Sequence, residues 1–147
     1  MVGLCVFAAD QPYALAHLGG NSDSVATDRD MLRGQLRTTP MTQYDVHEIS
    51  MGTSAVVREY VTRTGTVFAI TWQGPTPPNL RQLFGDYFTR FSSAAVASAQ
   101  AHSGTHRQLS INQGDFIVQN AGHMRAFVGR AYLPALMPAG VSISDLP

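Results

Sequence analysis

A histidine and an arginine two residues apart on one strand share a face, so they can meet a ligand together. This 147-residue chain offers such a pair in His123 and Arg125. His47 and Glu48 are adjacent, and adjacent strand residues point to opposite faces, which keeps them out of a common site. Arg58 and Trp72, a guanidinium and a large amphipathic ring, add hydrogen-bonding and stacking capacity nearby. His123, Arg125, Arg58 and Trp72 are therefore the binding candidates. No catalytic residue is assigned, because one His and one Arg make neither a triad nor a metal site. Zinc needs three or more protein ligands, and the five histidines show no HxH or HExxH spacing. His102 and His106 are four apart but separated by Gly104, which argues for a loop. The single cysteine, Cys5, excludes an internal disulfide and a cysteine-based zinc site. GxSxG, GxxxxGK and GxGxxG patterns are absent, so neither a serine nucleophile elbow nor a phosphate loop is supported. No cofactor is expected.

The element that must position these residues is residues 55–75, AVVREYVTRTGTVFAITWQGP, which reads as a β-hairpin of β-branched and aromatic runs around Gly65. A two-residue loop would force Thr64 to positive φ, whereas the three-residue loop 63–65 leaves only Gly65 in the left-handed region. That loop sets Tyr60 opposite Phe68, Arg58 opposite Ile70 and Val56 opposite Trp72, with Tyr60, Phe68 and Trp72 on one core face beneath a helix. The helix begins at a capping box, Asn79 to Gln82. It carries Leu80, Leu83, Phe84, Tyr87, Phe88, Phe91 and Ala95 as one apolar stripe. Beyond Ser92 its alanine- and serine-rich continuation frays or becomes a loop.

Earlier in the chain, Val25, Asp28, Met31, Leu32 and Leu36 mark a narrower helix that Gly34 interrupts and 38–40 ends, and residues 44–51 read as an edge or half-buried strand. Later, strands over 108–111, 115–119 and 124–132 form a meander with turns at 112–114 and 120–122. Gly129 in the last strand signals a bulge or a close backbone approach. The order helix, three strands, helix, three strands predicts an α+β domain, an antiparallel sheet of about five to six strands with helices on one face.

A chain with 44% apolar and 14% charged residues buries an ordinary core. Its formal charge is zero, its ten basic residues are all arginines, and they are scattered, leaving no footprint for nucleic acid or an anionic membrane. Residues 2–9, VGLCVFAA, are apolar but far short of the roughly 18 that would span a bilayer. With Ala14-Leu15-Ala16 as a small-x-small cleavage site, residues 1–16 read as the remnant of a signal peptide and 17–147 as the single domain. The expected location is the periplasm or the medium. A buried N-terminal strand is the competing reading.

The segments VREYV, GTVFAITWQGP followed by PNLRQLFGDYF, and GHMRAFVGRAYLP resemble exported proteobacterial proteins grouped as domain-of-unknown-function family 2844. The likeness runs from Leu18-Gly19-Gly20 to Val141. It implies export from a Gram-negative cell through an N-terminal signal, although here the presequence is short and lacks basic residues. It brings no reaction and no catalytic residues. The leading functional expectation is a non-catalytic binding or structural component of the cell envelope or of a secretion-related assembly, with an edge or face of the sheet turned to a protein partner. A carrier of a small apolar ligand would instead hold a cavity of roughly 300 Å³ or more beneath Trp72 and Phe84. A small hydrolase-like enzyme would need convergent polar groups near His123, Arg125 or Glu59.

Overall fold

The computed structural model describes residues 17–52, 54–101 and 108–146. Helix α1 (Ser24–Leu32) precedes four strands, β1 (Gln35–Pro40), β2 (Tyr44–Met51), β3 (Ala55–Thr62) and β4 (Val67–Gly74). Helices α2 (Leu80–Phe84) and α3 (Tyr87–Ala101) follow, then strands β5 (Gln108–Asn112), β6 (Ile117–His123) and β7 (Ala126–Tyr132). Single 3-10 turns at Pro134–Leu136 and Ile143–Asp145 complete the described chain. The strands form one sheet in the order β1-β2-β3-β4-β7-β6-β5, every neighbouring pair antiparallel. The α+β class therefore holds, with seven strands in place of five or six and four strands, not three, before the second helical segment.

The hairpin turn has the expected three residues. Gly65 takes φ +88°, its N–H donates to Thr62 O (2.9 Å), and Thr62 N–H donates to Thr66 O (2.9 Å). Val61 faces Val67 as that loop requires, but Phe68 is an extra residue, so Tyr60 pairs with Ala69, Arg58 with Thr71 and Val57 with Trp72. This bulge corrects the expected register. Tyr60 and Phe68 do lie together (ring centroids 6.2 Å), yet on the face away from the helices, while Ile70 and Trp72 turn towards them. The physical reason is that β4 is buried on both sides, from Val67 through Trp72. Gathering every large group on one face suits a sheet with one wet side; this sheet has a second apolar layer.

On the helical side, Trp72, Phe84, Phe91 and Phe116 interlock, with Phe84 5.8 Å from Trp72, 5.1 Å from Phe91 and 5.8 Å from Phe116. Burying each such ring contributes about 1.5–3 kcal/mol. The single aromatic helix expected from residue 80 onwards is broken at Gly85, φ +50°, because the His17 ring occupies the place of a Cβ there. The Asn79 side chain caps α2 by accepting from Gln82 N–H (3.4 Å), but the Gln82 side chain turns to Asp28 instead of closing the box. Residues 92–101 stay helical rather than fraying, since alanine has the highest helix propensity. Helix α1 stops at left-handed Arg33, and Leu36 and residues 38–40 belong to β1, paired with β2, which is therefore no edge.

The opposite face is covered over part of its extent by the segment after β7. Met137, Val141, Ile143 and Leu146 pack on Tyr44, Tyr60, Phe68 and Tyr132.

Candidate functional site

Cross-strand register determines which polar groups share the face that the C-terminal segment leaves open. One row runs Arg37, Glu48, Arg58, Thr71, Arg130, Gln119, Ser110 from one edge of the sheet to the other. The next runs Gln35, Ser50, Val56, Gln73, Val128, Ala121, Gln108. Strand alternation puts both rows on the side of Tyr60, where the C-terminal cover reaches only their middle, at buried Thr71 and at Arg130 beside Ile143 and Leu146. Three guanidinium groups stand there against one carboxylate.

Two of the arginines are held in place. Arg58 Nε donates to Glu48 Oε2 (2.8 Å), and Arg130 donates through Nε to Gln119 Oε1 (2.7 Å) and through Nη1 to Ile143 O (3.2 Å). Arg37 is exposed at the outer strand. Around Arg130 the face dips into an open depression of about 350 Å³, lined also by Gln108, Ser110, Gln119, Val128 and Leu146. A second, of about 370 Å³, lies beside it against Gln73, Pro75, Arg125 and Phe127. Val128, 53% exposed, lines both.

The four candidates named from the sequence do not converge. His123 ends β6, and Arg125 sits in the two-residue Met124–Arg125 loop at φ +65°, so the two do not share a strand face. The expected turn at 120–122 is strand instead: the Phe127 ring lies where a Cβ of Gly122 would be, so that glycine provides ring space rather than a bend. Both residues are exposed, and Arg125 lines the second depression. Arg58 is on the open face. Trp72 is not: it is 2% exposed on the helical side, against Phe84, and serves as core. This is the helix-facing core side expected for Trp72, and it is the bulge at Phe68 that carries Tyr60 and Phe68 to the other face. Arg130, Arg37 and Gln119 were missed as site residues. The signal available was their alternation with Val128, Tyr132 and Leu36, which becomes a site only when seven strands are aligned.

The helical side holds the other polar cluster. Glu59 is fully buried on β3, and Asp28, also fully buried, reaches it from α1. Gln82 Nε2 of α2 donates to Asp28 Oδ1 (2.5 Å). Burial, then the hydrogen bond and charge of Asp28, push the Glu59 carboxyl well above its ordinary range. Burial raises Asp28 too, against the lowering effect of its bonds to Glu59 and Gln82 and the charge of His17. Sealed under two helices, this pair has structural rather than catalytic access. No three His, Cys, Asp or Glu side chains among the described residues converge as a metal site. His102 and His106 lie outside the described residues. The space beneath Trp72 and Phe84 is filled by their own rings and by Phe91 and Phe116, and both depressions lie elsewhere.

Fold and face together describe an α+β domain whose antiparallel sheet is closed by helices on one side and partly covered by the C-terminal segment on the other. The chain belongs to the family described as protein of unknown function (DUF2844), whose model matches residues 14–146. No curated protein and no solved structure matches it. Among the described residues no helix is long and apolar enough to cross a membrane.

Proposed function

We propose that the protein is an exported, non-catalytic binding component of the cell envelope or of a secretion-related assembly, and that it receives a protein partner on the open half of its sheet. The observation that carries this reading is the unequal cover of that face. Apolar residues of the C-terminal segment close the half around Tyr60 and Phe68, and the remainder is a broad shelf of guanidinium, amide and hydroxyl groups with exposed Val128 among them. Such groups donate and accept hydrogen bonds without titrating near neutrality, which suits recognition better than proton transfer. The excess of arginine favours a partner surface bearing carboxylates, and planar guanidinium forks match carboxylates well. A partner seated there would bury Val128 at the centre and the arginines around it.

Capture from periplasmic and outer-membrane fractions tests this with three baits: the unmodified domain, Arg37→Glu/Arg130→Glu, and Val96→Glu on the outer side of α3. A partner held by the first and third baits and lost by the second is expected. Equal capture by all three contradicts the assignment. Export rests on the 14–16 cleavage motif and on the fact that the packed structure is already engaged at Leu18, whose N–H donates to Leu83 O (2.9 Å). N-terminal sequencing of periplasmic protein should begin at His17, and uncut protein confined to the cytosol contradicts export.

A further inference from the structure

Three elements and the segment before α1 bring polar side chains to one buried point on the helical side of the sheet. Glu59 stands at the middle of β3, between Val57 and Val61, opposite Ile70 of β4 and His47 of β2. Asp28 of α1 meets its carboxyl, Gln82 of α2 bonds Asp28, and His17, preceding α1, acts on Asp28 through its charge. His47 makes its own bond, Nδ1 to Thr38 Oγ1 (2.9 Å), and has Asp45 as charged neighbour on β2. Both Glu59 oxygens and Asp28 Oδ2 lack a conventional donor. Two ionised carboxylates cannot lie in contact in such a place, because each loses its hydration and repels the other. One proton removes one of the two charges and joins one Glu59 oxygen to Asp28 Oδ2. Gln82 donates to Asp28, which identifies Asp28 as the acceptor, so the proton belongs on Glu59 and is donated to the free oxygen of Asp28.

We propose that Glu59 and Asp28 form a one-proton latch: while the proton is shared, α1 is held on β3 and, through Gln82, against α2; once it passes to solvent, α1 and the segment before it come away from the sheet. Buried Leu18 and Val25 would then leave the core, while Trp72 of β4, Phe91 of α3 and Phe116 keep their ring contacts with Phe84.

Hydrogen exchange on the whole domain between pH 5 and 9, corrected for intrinsic exchange rates, tests the latch at α1. Opening of α1 should grow by about tenfold per pH unit until the folded carboxyl itself titrates, with α3 and β4 showing no such slope. Glu59→Gln, whose amide still donates to Asp28, should abolish the slope. Asp28→Asn, which offers an amide donor to an ionised Glu59, should reduce it and keeps the test available if the first variant does not fold. A slope due to His17 or His47 would survive Glu59→Gln unchanged, and that result overturns the proposal, as does flat α1 protection in the unmodified protein. Restoration of α1 protection at pH 9 by millimolar calcium or magnesium would overturn it too, by showing that a cation and not a proton closes the pair.

Discussion

Gly129 and Trp72 face each other across β7 and β4, and the indole lies over the position a Cβ of residue 129 would occupy. The glycine that reads in sequence as a bulge or a close approach is the second of these. Gly129→Ala must push aside a ring already wedged against Phe84, and overpacking of this kind costs about 1–3 kcal/mol. Denaturant titration followed by fluorescence of the only tryptophan checks it: a lower midpoint and a shifted native emission are expected.

Phe84 is fully buried at the meeting point of three aromatic contacts, whereas Phe88 is partly buried under Arg81. Phe84→Ala should cost about 3–5 kcal/mol through lost transfer energy and an unfilled cavity, and Phe88→Ala less. Against a total of about 5–15 kcal/mol the first change lowers the melting temperature visibly. Exposed His123→Ala should move stability by no more than about 0.5 kcal/mol. Thermal melts of the three variants in that order of damage support the assignment of core and surface.

Buried Glu59 and half-buried His47 give stability opposite slopes with pH. Glu59 is raised above the ordinary glutamate value of 4.5, so its contribution is complete below that value and is lost as pH rises towards the folded one. Burial lowers His47 below the ordinary 6.5, against the opposing charge of Asp45. Its contribution is present above 6.5 and lost as pH falls through the folded value. Between about pH 5 and 7 the unmodified protein should therefore lose stability on the alkaline side through Glu59. In Glu59→Gln that alkaline loss should shrink, which brings out the opposing contribution of His47. Denaturation midpoints at closely spaced pH values measure both.

Local signals carried much of this fold. β-Branched runs and Gly65 marked the hairpin and its loop length, Asn79 marked the start of α2, and β2 was legible to its end residues. What one sequence did not reveal was the second layer. Without knowing that Met137, Val141, Ile143 and Leu146 return over the sheet, Tyr60, Phe68 and Trp72 were assigned to one face, and the bulge that divides them carries no glycine or proline to mark it. The turn at 120–122 failed for a related reason: Asn120 and Gly122 have turn chemistry, but Gly122 is used to seat Phe127. Glu59 was visible as a carboxylate inside an apolar strand and Asp28 as one on an apolar helical stripe. Their meeting depends on how α1 lies against the sheet, a long-range arrangement that no local pattern encodes.

Photo-cross-linking in the exporting cell shows whether the open part of the sheet receives the partner. A benzophenone amino acid replaces Val128 on the shelf in one strain and Val96, 55% exposed on the outer side of α3, in another. A discrete, higher-mass adduct is expected from position 128, weakened when Arg37 and Arg130 are also changed to glutamate, and none from position 96. An adduct from position 96 alone would contradict this placement of the partner.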